Sequence, residues 1–87
     1  MVSFQEIIRS HHRIEDFIHR TPVVTNYGLD QFTGTQIYFK CENFQKSGAF
    51  KIRGATNAVE QLSTEELEKG VATSSSGNHG AALAMAV

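Results

Sequence analysis

The chain has 87 residues, 40% hydrophobic and 20% charged, with a formal net charge of −1, an ordinary composition for a globular protein. Its charges are scattered, so no basic block points to nucleic acid and no acidic tail points to disorder. A lone cysteine, Cys41, makes no internal disulfide, and the longest small-apolar run, Ala81 to Val87, is too short to span a bilayer. Together with the polar N-terminus, this predicts a cytoplasmic protein without nucleic-acid or membrane partners.

Ser3 followed by Glu6 is a capping-box pattern. Phe4, Ile7, Ile8, His11, Ile14 and Ile18 then recur at helical spacing, which predicts an amphipathic helix up to about Arg20. Pro22 ends it, because the residue before a proline is pushed out of the helical region. Val23-Val24 reads as extended, and Tyr27 to Phe32 as a short helix closed by Gly34. Gln36 to Glu42, rich in aromatic and β-branched types, reads as a strand, and Asn43 to Gly48 as a polar loop.

A second helix is predicted from Phe50 to Leu62, on the stripe Ala55, Ala58, Val59 and Leu62. Ser63 and Glu66 form another capping box, opening a short helix that stops at Gly70. Val71-Ala72-Thr73 reads as a short strand leading through Ser74 to Gly80 into an alanine-rich helix. Strands alternating with helices predict an α/β fold of parallel-sheet βα units behind an N-terminal helix. The last helix is apolar on every side and so expects burial all round. It stops without a capping glycine, a basic last turn or a loop, so residues 1–87 read as the N-terminal segment of a longer catalytic domain, with no internal boundary.

Two segments carry chemistry. Lys51 lies where a loop meets a helix, three residues after Gly48 and beside Phe50. Position alone reads it as a solvated lysine. Arg53 adds a like charge that lowers a lysine pKa in a partly desolvated site, and a neutral amine is what attacks a carbonyl. The second segment, Ser74-Ser75-Ser76-Gly77-Asn78-His79-Gly80, opens a helix. Its small residues, hydroxyls and free backbone N–H groups suit a carboxylate or a phosphate. An ordinary serine cap with a glycine turn fits it equally well. It is neither a Walker A loop nor G-x-G-x-x-G.

Together, Lys40-Cys41-Glu42-Asn43-Phe44-Gln45-Lys46-Ser47-Gly48-Ala49-Phe50-Lys51-Ile52-Arg53-Gly54-Ala55 and the downstream Ser75-Ser76-Gly77-Asn78-His79-Gly80 resemble the serine racemase and serine/threonine dehydratase group of fold-type II (tryptophan synthase β-like) pyridoxal-phosphate enzymes. The resemblance runs from about Thr21-Pro22 to the end. It implies that Lys51 is the Schiff-base lysine for pyridoxal phosphate, that Phe50 packs on the cofactor ring, and that Asn78 bonds its phenolic oxygen. It implies that Ser75, Asn78 and His79 hold the substrate carboxylate. Ser76 takes the position that exchanges the second proton in racemases. Cysteine-synthase-like relatives usually carry threonine after the asparagine, so His79 favours the dehydratase and racemase branch.

The implied activity is ammonia-releasing elimination from a small hydroxy-amino acid to a 2-oxo acid, with racemisation kept open by Ser76. The parent enzyme is expected to be a homodimer. The family's glycine-rich phosphate loop is not in these 87 residues, so the chain alone is expected to turn over little. The alternatives are an inactive fragment, an interaction module or a small-anion-binding domain using only Ser75 to Gly80. No metal site is expected from His11, His12 and His19, which lack a patterned carboxylate or cysteine. Cys41 reads as a buried structural thiol, Glu42 and Glu65 to Glu68 as surface charges, and Lys46 as a solvated loop lysine.

Overall fold

A computed structural model describes residues 1–87. The first helix, α1 (Phe4–Ile14), starts at the expected capping box: Ser3 Oγ accepts from the Glu6 N–H and the Glu6 carboxylate accepts from the Ser3 N–H. It stops six residues short of Arg20. Beyond Phe17 the backbone is claimed elsewhere: the His19 N–H donates to Gln45 Oε1 (2.8 Å), and the His19 carbonyl accepts from Gln45 Nε2 (2.7 Å). A peptide held on both sides by one amide is lost to the helical ladder.

Two short strands follow, β1 (Val23–Val24) and β2 (Phe39–Lys40), flanking helix α2 (Tyr27–Thr33). Asn26 caps α2 by accepting from the Leu29 N–H, and Gly34 closes it in the left-handed region at φ 71°, where glycine carries no Cβ penalty. The strands pair antiparallel, Val23 opposite Lys40 and Val24 opposite Phe39. The expected strand over Gln36 to Glu42 shrinks to two residues because the Ile37 N–H goes to the Asp30 carboxylate and the chain turns into a 3₁₀ helix at Glu42–Phe44.

The expected parallel-sheet units are therefore not formed within this chain. Its one ladder is antiparallel, and Val71-Ala72-Thr73 is irregular. A strand needs a neighbour for its N–H and C=O groups, and residues 71–73 have none here. Helix α3 (Lys51–Glu60) instead packs against α1 and α5 (Asn78–Ala86), with α4 (Thr64–Lys69) on its own capping box, Ser63 with Glu66, in between. The buried face of α3 is Ile52, Ala55, Thr56 and Val59. Ala58, expected on it, is exposed.

The core is small. Ile52, Ala55 and Ala82 form its cluster, with Ile18 and Ala86 at the edge. Only eight residues are buried. The radius of gyration is 16.2 Å, against about 12 Å for a compact domain of this length. The exposed area is 6604 Å², against about 5,100 Å² for a folded monomer of this mass. Of α5, which expects burial all round, only Ala82 is buried. No helix is long and apolar enough to cross a membrane.

Candidate active site

The loop before Lys51 is built tightly. Asn43 to Gly48 is two 3₁₀ turns rather than open loop, Glu42–Phe44 and Lys46–Gly48. Ser47 sits at φ 63° and Gly48 at φ 74°, so two left-handed residues reverse the chain just ahead of α3. Gln45 is buried, and besides its two bonds to His19 it accepts from the Lys46 N–H at 2.9 Å. Ala49 is extended, and α3 begins with no side-chain cap. Lys51 is exposed, its Nζ 5.1 Å from the Phe50 ring centroid, within reach of the ring's negative face.

Arg53 does not act as the free like charge expected beside Lys51. Its guanidinium pairs with Glu42, Nε with Oε1 and Nη2 with Oε2 at 3.0 Å. Glu42 is not a surface charge but a half-buried hub that also accepts the hydroxyl of buried Thr21. The bond from Arg53, aided by Thr21 and opposed by partial burial, holds the Glu42 carboxyl at about 2, against an ordinary 4.5. The Arg53 pKa rises in turn through the same bond.

The Ser74 to Gly80 segment is open. Ser75, Ser76, Asn78 and His79 are all exposed. Ser75 Oγ accepts from the Gly77 N–H at 3.2 Å, which shapes the turn into α5. A Cβ on Gly80 would stand 3.2 Å from the Ser75 carbonyl oxygen, so the loop lies tightly against the first turn of α5 and would have to give by a few tenths of an ångström to admit a side chain.

Packing of α5 on α3 brings the two segments together. Phe50, Lys51, Arg53, Gly54, Ala55 and His79 line one open cleft of about 370 Å³, within the roughly 300–1,000 Å³ range of small-molecule sites. Thus Phe50, Lys51 and His79 line the same cleft, whereas Ser75, Ser76 and Asn78 do not. A larger cleft of about 530 Å³ lies between the end of α1 and β2. Two of its cations are engaged, Arg53 with Glu42 and Lys40 Nζ with the Thr21 carbonyl at 2.8 Å.

Of the remaining residues, Cys41 is half-buried and directly follows β2. His11 and His12 both face Glu15, at 3.2 and 3.5 Å. The Thr21, Glu42, Gln45 and Arg53 network is what residue patterns alone missed. Its partners stand 11 to 26 residues apart, and no local periodicity links them.

A family model described as pyridoxal-phosphate dependent enzyme matches residues 14–86. The chain belongs to the pyridoxal-phosphate-dependent enzyme family. It is 55% identical to a serine racemase of Dictyostelium discoideum over 85 residues, covering 98% of this chain and 26% of that protein. It is 51% identical over 84 residues to a beta-hydroxyaspartate dehydratase of Paracoccus denitrificans, covering 97% and 27%. The fold superposes on the structure of maize serine racemase with a TM-score of 0.93 at 48% identity, covering 98% and 27%. The chain thus spans about a quarter of the length of these relatives, and its fold is that of the corresponding part of fold-type II pyridoxal-phosphate enzymes.

The lysine end of the cleft fits the family's cofactor. An exposed amine stands beside an exposed aromatic face, and the space around Gly54 is clear of other atoms to 4 Å from where a Cβ would lie.

Proposed function

We propose that residues 1–87 form the N-terminal segment of the catalytic domain of an enzyme that eliminates ammonia from a small hydroxy-amino acid, giving a 2-oxo acid, and that also racemises serine. The supporting observation is the shared cleft of Phe50, Lys51 and His79. On this reading Lys51 holds pyridoxal phosphate through its amine, Phe50 covers one face of the ring, and Asn78 bonds the ring's phenolic oxygen. Ser75, Asn78 and His79 hold the substrate carboxylate. Their place at the start of α5, where the first N–H groups lack a side-chain cap, supports a role in binding an anion.

Bound pyridoxal phosphate supplies an electron sink for negative charge at the substrate α-carbon. The chain's own residues do the positioning and the proton work. A fixed carboxylate determines which α-bond breaks, a gain of orientation rather than of new chemistry. Lys51, once its amine is free, removes the α-proton as general base. The β-hydroxyl would then leave as water, taking up a proton such as the one Lys51 removed, and hydrolysis of the released enamine by water would give the 2-oxo acid and ammonia. Ser76 supplies the second hydroxyl that racemisation needs to exchange a proton. The phosphate-binding loop lies outside these residues, so the chain alone gives little turnover.

The parent enzyme is proposed to be a cytoplasmic homodimer acting on small molecules, without nucleic-acid or membrane partners. A single cysteine supports the reducing compartment. The test is to mix the chain with pyridoxal phosphate, reduce with borohydride and map the adducts by mass spectrometry. The adduct is expected to concentrate on Lys51 and to vanish from that peptide in Lys51→Ala. Equal labelling of Lys40, Lys46, Lys51 and Lys69 would overturn the reading. Rapid ammonia release from serine by the chain alone would overturn the claim of little turnover.

A further inference from the structure

The first turn of α3, which carries Lys51, has no side-chain cap. Two contacts hold it instead. Ile52 is buried, and Arg53 is paired with Glu42. A helix turns as a rigid body, so the point at which Arg53 is held sets the direction in which Lys51 projects two residues earlier. Glu42 is itself fixed from behind by the hydroxyl of buried Thr21. Thr21 in turn is tied through its carbonyl to Lys40 Nζ, and the Cys41 N–H donates to the Pro22 carbonyl at 3.0 Å. The carboxylate thus joins the edge of the β1–β2 pair to the turn bearing the lysine.

We infer that Glu42 is a positioning residue for Lys51, acting through Arg53 to aim the lysine amine into the cleft beside Phe50 and His79. This rests on the reading of Lys51 as the cofactor-holding amine. Glu42 itself neither lines the cleft nor bonds Lys51 and reaches the cleft only through Arg53, so it has no catalytic role of its own. A bidentate guanidinium–carboxylate pair sets orientation as well as distance, and a misplacement of about 1 Å at a reacting group costs up to about a hundredfold in rate.

The test uses this chain with pyridoxal phosphate itself. The readout is the ratio of borohydride-trapped adduct on Lys51 to that on Lys69, which is exposed on α4 and remote from the network. Glu42→Gln is expected to lower the ratio by about tenfold, and Glu42→Asp, which keeps the charge, to restore part of it. Arg13→Ala is the control for general loosening. It removes the 2.6 Å bond from Arg13 Nη1 to Asn57 Oδ1 between α1 and α3 and should leave the ratio intact, with helix content by circular dichroism reported for all three. If Glu42→Gln keeps its helix content and the wild-type ratio, the positioning role is overturned while the proposed function stands. A ratio that falls equally in Arg13→Ala also overturns it, because loosening alone then accounts for the loss. A wild-type chain with no preference for Lys51 overturns both.

Discussion

The two halves of the cleft are built to different standards. The lysine half is tied to the rest of the chain by buried Thr21 and Gln45, by the Glu42–Arg53 pair and by Ile52 in the core. The serine-glycine half makes one internal side-chain bond, Ser75 Oγ with the Gly77 N–H, and no residue from Glu60 to Ala81 is buried. Few buried contacts and an exposed backbone place a segment at the low end of local stability. One half of the site is preorganised by these residues. The other hangs on α5, which packs on Ile52 and Ala55 through one buried alanine, Ala82, and half-buried Ala86.

Removing the shared support should erase the contrast and have the largest effect. Ile52 is 2% exposed and touches both halves through the core cluster. Ile52→Ala is expected to cost about 3 kcal/mol. In a chain whose core cluster is three residues, that should abolish a cooperative thermal transition by circular dichroism. A sharp melt retained in Ile52→Ala would show that the halves are held by something other than this cluster.

Acid should act most on the lysine half, because the other carboxyl held low, Glu66, is an exposed cap of α4 lowered by its bonds to Ser63. The Glu42 carboxyl titrates near 2 when folded, against an ordinary 4.5. A depressed folded pKa contributes stability that is present above the unfolded value and lost as pH falls through the folded one. Stability should therefore decline between pH 4.5 and about 2, by on the order of 2 kcal/mol for a partly exposed pair. Denaturant melts across that window measure it. Glu42→Gln is expected to be less stable at neutral pH and to lose most of the slope. A slope unchanged by the substitution would assign it to other carboxylates.

Enlarging the contact should separate the halves. Ala82 is fully buried against Ile52 and Ala55. Ala82→Leu is expected to push α5 away at a cost of about 1–3 kcal/mol. Amide hydrogen exchange should then accelerate over residues 78–86 while α1 and α3 keep their protection. Uniform acceleration would mean the halves open together.

Sequence carried the local features of this contrast but not its physical basis. Both capping boxes, the Gly34 stop and the helix at Lys51 follow from side chains a few residues apart, and they stand as expected. The early end of α1, the short β2 and the pairing of half-buried Glu42 were not legible, because each is decided by a partner distant in the chain: Gln45 for His19, Asp30 for Ile37, Arg53 and Thr21 for Glu42. The fold class was legible, but no parallel ladder forms within these residues, since Val71-Ala72-Thr73 has no strand beside it. For the site, the structure adds that Lys51 and His79 line one cleft. The Thr21–Glu42–Arg53 network had no signal in residue spacing.

The smallest expected effect is a gain, and it tests whether the tied half also holds strain. Ser47 adopts φ 63° without being glycine, and its Oγ is buried with no hydrogen-bond partner. A left-handed non-glycine residue costs about 1–2 kcal/mol, and an orphaned buried hydroxyl adds to that. Ser47→Gly relieves both, against the extra chain entropy glycine loses on folding, about 0.5–1 kcal/mol. A net gain of about 1 kcal/mol is expected in denaturant melts. Ser47→Ala separates the causes, because it removes the hydroxyl but keeps the Cβ at φ 63°. If alanine gains as much as glycine, the hydroxyl is the whole penalty. If only glycine gains, the loop before Lys51 is strained in its backbone, and the contacts of Gln45 and Glu42 are what hold it there.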